Sequence, residues 1–195
     1  MRNQFKFYGI KAQDRKAIAA PFYRKENRPK IEDLEEVILT MWEDPHREFQ
    51  YIAMELVDRY KKELTADYFH LLEEMITQKS WWDTVDYIAS NLVGNLVRRF
   101  PEEGYKMIVK WRNSGNFWLV RTCILFQLKY KDEVDEELLF SLIRENNKDS
   151  EFFIRKAIGW SLRQYSKFKP ERVVWFVENH ELSGLSRREA LKGLK

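Results

Sequence analysis

Four small residues recur along this chain at nearly constant spacing. Ala53, Ala89, Cys123 and Ala157 lie 36, 34 and 34 residues apart. Each falls within a segment whose apolar residues follow the helical period; Phe49, Ile52, Ala53, Leu56 and Val57 form one such stripe. Around the last two the match extends further, with Trp118-Leu119-Val120-Arg121 falling on Phe152-Phe153-Ile154-Arg155. Small residues at a fixed place let neighbouring helices approach. Helix pairs repeating at this period cannot bury their apolar faces alone and must stack, which makes an α-solenoid with a concave inner surface. No strand-like alternation of any length competes with this reading.

The period is shorter than the ~40–47 residues of standard HEAT or armadillo units, so the repeat is HEAT-like and divergent. A helix is predicted from Asp14 to Lys25, and another through Ile31, Leu34, Val37, Ile38 and Met41 to Trp42. Asp44-Pro45 predicts a helix start, with Asp as N-cap and Pro at the first helical position. Thr65 is expected to cap a helix burying Tyr68, Leu71, Leu72 and Met75. The tryptophan-rich stretch at 81–82 opens a long helix to Phe100-Pro101. Tyr105, Ile108, Val109 and Trp111 mark its partner, closed at Asn113-Ser114-Gly115. Further helices are predicted over Trp118–Lys131, Glu136–Asn146, Phe152–Ser166 (capped by Asp149-Ser150) and Pro170–Val177. A last short one follows from a Ser186/Glu189 capping box. Asn3 to Ile10 opens apolar, uncapped and broken by Gly9, which creates the expectation of a natural helix upstream of it.

A length of 195 residues suits one domain spanning 1–195 with a sizeable core. No apolar run reaches the roughly 18–20 residues of a membrane span, and the polar opening residues do not fit a signal peptide. The single Cys123 rules out an internal disulfide and speaks against a cysteine-based zinc site. His46, His70 and His180 are scattered. No metal and no cofactor are expected, and a cytoplasmic monomer is the default. Net charge is +3, unevenly spread: residues 152–195 carry ten Lys/Arg against four Asp/Glu, whereas 101–151 carry eight against ten. A basic C-terminal quarter is compatible with a polyanion-binding face; plain solvation is the alternative.

The stretch Lys79-Ser80-Trp81-Trp82-Asp83-Thr84-Val85-Asp86 sets two tryptophans and two acids at a helix start. Trp82 and Asp86 are neighbours one turn apart. Packing explains a tryptophan pair, and Ser80 with Asp83 matches a capping box. Asp86 is too far into the helix to cap it. A carboxylate beside an aromatic face costs desolvation unless something compensates, so Asp86 calls for another explanation.

Trp81-Trp82-Asp83-Thr84-Val85-Asp86 closely resembles the AlkD family of DNA alkylpurine glycosylases. The likeness continues through Arg121–Lys131, Glu151–Trp160 and Leu185–Ala190, and includes Phe5-Lys6-Phe7-Tyr8-Gly9-Ile10. It spans essentially the whole chain. It departs at Ala12-Gln13, where family chains commonly have Thr-Pro, and in lacking the family's upstream helical segment. The resemblance implies HEAT-like repeats and removal of N3- and N7-alkylated purines from double-stranded DNA with the lesion left in the duplex. It implies Asp86 as the catalytic carboxylate, Trp82 and Trp160 as site tryptophans, and Arg121 as the site arginine. Simple register arithmetic does not bring Arg121 and Trp160 onto the face of Asp86, so their convergence rests on the resemblance.

Those residue types suit that chemistry. A purine alkylated at N3 or N7 is already cationic and leaves as a neutral base, so no general acid is needed. The sugar gains positive charge in an oxocarbenium-like transition state. A carboxylate can balance it and position water, and indole faces attract cations. Arg121 is expected to anchor a phosphate, since guanidinium matches phosphate geometry. Trp81, Asp83, Lys129, Lys131, Lys156, Arg163, Lys167, Arg187 and Arg188 are the further candidate DNA contacts. Two alternatives stand beside the enzyme: a catalytically idle DNA-binding relative and a protein-binding scaffold. A fully buried Asp86 neutralised by a cation would count against catalysis.

Overall fold

The computed structural model describes residues 3–194. Within them are twelve α-helices and no named strand, apart from one isolated bridge between Lys6 and His46. The helices are α1 (Ala12–Ala19), α2 (Leu34–Glu43), α3 (Arg47–Arg59), α4 (Phe69–Thr77), α5 (Trp82–Tyr87), α6 (Gly94–Arg99), α7 (Pro101–Arg112), α8 (Phe117–Leu125), α9 (Glu136–Asn146), α10 (Phe152–Tyr165), α11 (Pro170–Asn179) and α12 (Gly184–Ala190). Among the described residues no helix is long and apolar enough to cross a membrane.

The repeat read from the small residues is real. Ala53, Ala89, Cys123 and Ala157 are all buried. Ala190, 33 residues beyond Ala157, is buried as well and extends the series to α12. The helical segments that carry these residues touch one another in sequence order: α3 meets the turn at Ile88–Val93 that holds Ala89, that turn meets α8, α8 meets α10 and α10 meets α12. The closest of these approaches needs a glycine. A Cβ at Gly159 of α10 would sit 2.5 Å from Glu189 Cβ and 2.9 Å from the Ser186 carbonyl oxygen of α12. Buried apolar side chains run as one cluster from Leu34 to Ala190.

Between α5 and α6 the chain makes a π-helical turn, Ile88–Val93, inside what is otherwise one helix from Trp82 to Arg99. A single π turn widens the helix locally and shifts the register of the residues on either side. Ser90 and Asn91, in the turn, donate to the Asp86 and Tyr87 carbonyls.

Several local expectations give way to tertiary bonding. The first helix is shorter than Asp14–Lys25, passing into a 3₁₀ turn at Ala20–Tyr23. Asp44 and Pro45 precede α3 instead of opening it. His46 is extended and occupies the N-cap because Arg47 N–H bonds the Lys6 carbonyl, while Asp44 accepts from His46 N–H at 2.8 Å. Thr65 leads into a 3₁₀ turn, Ala66–Tyr68, with its hydroxyl on Asp67. The Ser80/Asp83 capping box does not form: Ser80 bonds back to the Ile76 carbonyl and Trp81 is the N-cap. α8 ends at Leu125, not Lys131, and Tyr105 and Val109 of α7 face outward while Ile108 and Trp111 are buried. Glu151, not Asp149 or Ser150, caps α10. Ser183 caps α12, leaving Ser186 on the Arg155 carbonyl and Glu189 free to turn toward α10. For Arg47 and Ser186 the competing partner is distant in sequence, the Lys6 and Arg155 carbonyls; for Ser80 it is the Ile76 carbonyl one turn back.

Candidate active site

α5, α8, α10 and α12 enclose a cleft of about 270 Å³ lined by Trp82, Asp86, Arg121, Phe152, Phe153, Lys156, Trp160, Arg163 and Glu189. All four residues expected to act together are in it. The stacking of successive repeats closes the gap that register arithmetic left between Asp86, Arg121 and Trp160.

Asp86 and Arg121 form a forked ion pair. Arg121 donates from Nε to one Asp86 oxygen at 2.7 Å and from Nη2 to the other at 2.8 Å. Its Nη1 donates to the Phe153 carbonyl. The Arg121 side chain is 5% exposed and that of Asp86 13%. Burial raises the Asp86 carboxyl above the usual carboxylate range; Arg121 opposes that rise and Asp83 adds to it. A carboxylate has about four acceptor positions, and the fork uses two. Asp86 lines the cleft and keeps part of its side chain exposed. Asp86 is therefore paired with a cation, one half of the condition that would count against catalysis, but it is not sealed off.

The guanidinium of Arg121 is buried with each of its nitrogens bonded, so the expected role as phosphate anchor does not fit this geometry. It orients Asp86 instead. Trp82 is 46% exposed and Trp160 partly buried, and both line the cleft. Phe152 and Phe153, together with Glu189, complete the lining and were not among the expected site residues. A signal for Phe152 was available. Phe152, Lys156, Trp160 and Arg163 stand at helical spacing on α10 and form one aromatic and basic stripe.

The expected DNA contacts divide. Lys156 and Arg163 border the cleft, with Glu189 bridging them at 3.4 and 3.0 Å. Burial would raise the Glu189 carboxyl, but these two cations and Lys192 hold it low. Lys129 is exposed and reaches Asn91 of the π turn. Lys131 and Lys167 are exposed, the latter on Gln164. Arg187 is exposed and donates to the Val177 carbonyl, and Arg188 is exposed. Trp81 is not a surface contact: it is buried, 5.2 Å from Phe153 and 6.0 Å from Trp118, and so buttresses the floor of the cleft. Asp83 is not one either. It is turned away from the cleft, taken up by Arg47 and Tyr51 of α3. For Asp83 the correction follows from period, since the residue after Trp82 points about 100° away from it on a helix; Trp81 is the extended N-cap and turns into the core before the helix begins.

The sequence profile of the family described as "DNA alkylation repair enzyme" matches residues 1–194. Among solved structures, one described as "Predicted DNA alkylation repair enzyme from Enterococcus faecalis" is similar over 99% of this chain and 90% of that chain. It shares 32% sequence identity, with a TM-score of 0.92. No curated protein matches.

Proposed function

We infer the activity from one premise: the chain belongs to the AlkD family of DNA alkylation repair enzymes, built of HEAT-like helical repeats. The proposed reaction is hydrolysis of the N-glycosidic bond of cationic N3- or N7-alkylated purines, 3-methyladenine and 7-methylguanine among them, in double-stranded DNA. The observation that carries this reading is the Asp86 carboxylate, fixed by Arg121 at the floor of an aromatic cleft with acceptor positions left over.

The alkylated base departs as a neutral molecule and takes the bonding electrons with it. Charge develops on the sugar, where Asp86 balances it and holds the water that attacks C1′. Trp82 and Trp160 offer indole faces to the cationic nucleoside and then to the cationic sugar. Lys156 and Arg163 meet the DNA backbone at the rim. The lining is built of aromatic rings, acids and cations, and the cations are already taken up by Asp86 and Glu189. That favours approach through sugar and phosphate with the lesion left in the stack over flipping it into a recognition pocket. Selectivity then comes from the charge of the lesion.

The second reading is a catalytically idle DNA-binding relative, favoured by the pairing of Asp86 with a cation. Base release from duplex DNA carrying 7-methylguanine, compared between the wild type and Asp86→Asn, separates the two. The enzyme reading expects release to fall by two or more orders of magnitude in the variant, with DNA binding retained. No release by either above the background of DNA alone, with binding intact, would favour the idle relative; equal release above background would remove Asp86 from the reaction.

A further inference from the structure

Asp83 sits one turn from Asp86, is as strongly held as Asp86, and has no part in the cleft. Its partner is Arg47, a fully buried residue of α3. Arg47 donates from Nη2 to Asp83 Oδ1 at 2.7 Å and to the Thr84 hydroxyl at 2.7 Å. Its Nε reaches Asp83 Oδ2 at 3.4 Å, and its Nη1 donates to the Lys79 carbonyl at 2.8 Å. The Phe5 ring covers the guanidinium, 4.1 Å from its centre. Tyr51 donates to Asp83 from the same helix, and burial with that contact pushes its phenol up to about 12, so it remains a donor at neutral pH. Lys79 itself is in the left-handed region, φ +48°, which costs a non-glycine residue roughly 1 kcal/mol or more. Its ammonium is tied to the Glu43 and Asp44 carbonyls. Arg47 thus clamps three consecutive features: the strained turn, the first carboxylate of α5 and the Thr84 hydroxyl beneath it.

α5 is gripped from two sides. Arg121 of α8 forks Asp86, and Arg47 of α3 forks Asp83. Without Arg47, Asp83 would be a carboxylate without a cation one turn from Asp86.

We propose that the Arg47–Asp83 pair is a positioning element of this site, fixing the turn of α5 that presents Trp82 and Asp86 and offsetting part of the charge of the carboxylate next to Asp86. This rests on the reading of Asp86 as the working carboxylate. The charged groups around Asp86 are Arg121 from α8, Lys156 and Arg163 from α10, Glu189 from α12 and Asp83 on its own helix. Arg47 bonds Asp83 and acts on Asp86 through that contact and through its charge.

The test is the Asp86 carboxyl titration followed by ¹³C NMR, assigned by its loss in Asp86→Asn, in full-length Arg47→Met and Asp83→Asn. Arg47→Met leaves Asp83 uncancelled and is expected to raise the Asp86 midpoint by about one pH unit. Asp83→Asn leaves Arg47 in excess and is expected to lower it by a similar amount. A purely structural role cannot move the midpoint in opposite directions. Midpoints that stay at the wild-type value, or move the same way in both, would overturn the proposal; should Arg47→Met not fold, Arg47→Gln, which removes the charge and keeps a hydrogen-bonding group, is titrated in its place. Base release by the wild type is measured alongside. Its absence would refute the enzymatic reading, while the titration still decides on the pair. With activity present, Arg47→Met is expected to lower kcat about tenfold with KM little changed, and Arg47→Met/Asp83→Asn to recover most of it.

Discussion

Removing the Arg121 guanidinium should expose how the site is held. Arg121→Met keeps the aliphatic stem but deletes both bonds of the fork to Asp86 and the bond to the Phe153 carbonyl. It leaves the Asp86 carboxylate in a place that burial already makes unfavourable for charge. Breaking a buried ion pair by removing one partner costs about 3–5 kcal/mol. Water reaches Asp86 from the cleft, so the lower end applies, ~3 kcal/mol at pH 7. For a chain of this length that lowers Tm by roughly 6–12 °C. The sign with pH follows from the direction of the Asp86 shift. Its folded-state midpoint is raised, so its contribution to stability is fully present below the unfolded value and is lost as pH rises through the folded one. Loss of Arg121 raises that midpoint further. The gap between variant and wild type should therefore narrow as pH falls through the variant's midpoint. Urea unfolding followed by circular dichroism at pH 7 and at pH 4.5 measures both. Arg121→Met/Asp86→Asn removes the stranded charge and should regain more than half the loss. A cost under about 1 kcal/mol, or a double variant no more stable than Arg121→Met, would refute the assignment of Arg121 as the buried counter-charge of Asp86.

Three further outcomes are expected. Trp82→Ala should leave stability within about 0.5 kcal/mol because the ring is nearly half exposed. It should cost base release roughly 1–2 kcal/mol of cation–π stabilisation, about a five- to thirtyfold drop in single-turnover rate. Glu189→Gln frees Lys156 and Arg163 from their bridging carboxylate. DNA affinity should rise, and the plot of log K against log salt should steepen by about 0.9 for each added phosphate contact; an unchanged slope in a fluorescence-anisotropy titration would show that these cations do not meet phosphate. Gly159→Ala sets a Cβ against the Glu189 Cβ and the Ser186 carbonyl. The resulting strain should cost about 1–3 kcal/mol, read as a lowered midpoint in thermal unfolding, and should loosen α12 from the rim of the cleft.

Much of this molecule is legible in one dimension because helices are local objects. Apolar residues at helical spacing fix where most of the helices lie. The recurrence of Ala53, Ala89, Cys123 and Ala157 identifies the stack, since close packing of successive helices tolerates only small side chains there. Trp82 and Asp86 are adjacent by the pitch of the helix alone. The stripe Phe152, Lys156, Trp160, Arg163 is readable in the same way. Tertiary structure decided what each polar residue faces. Asp83 and Asp86 are the same residue type, three positions apart, and nothing local says which belongs to Arg47 and which to Arg121. Their partners are 36 and 35 residues distant and arrive only when repeats stack. The cap expected at Ser186 gave way to a bond with the Arg155 carbonyl, 31 residues away, whereas Ser80 turned back to the Ile76 carbonyl and Asp44 to the His46 N–H, since a hydroxyl or carboxylate can serve other backbone groups as readily as its own helix end. Periodicity sets the faces of each helix, and the superhelical stacking of those faces turns an isolated acid, an arginine and two tryptophans into one cleft.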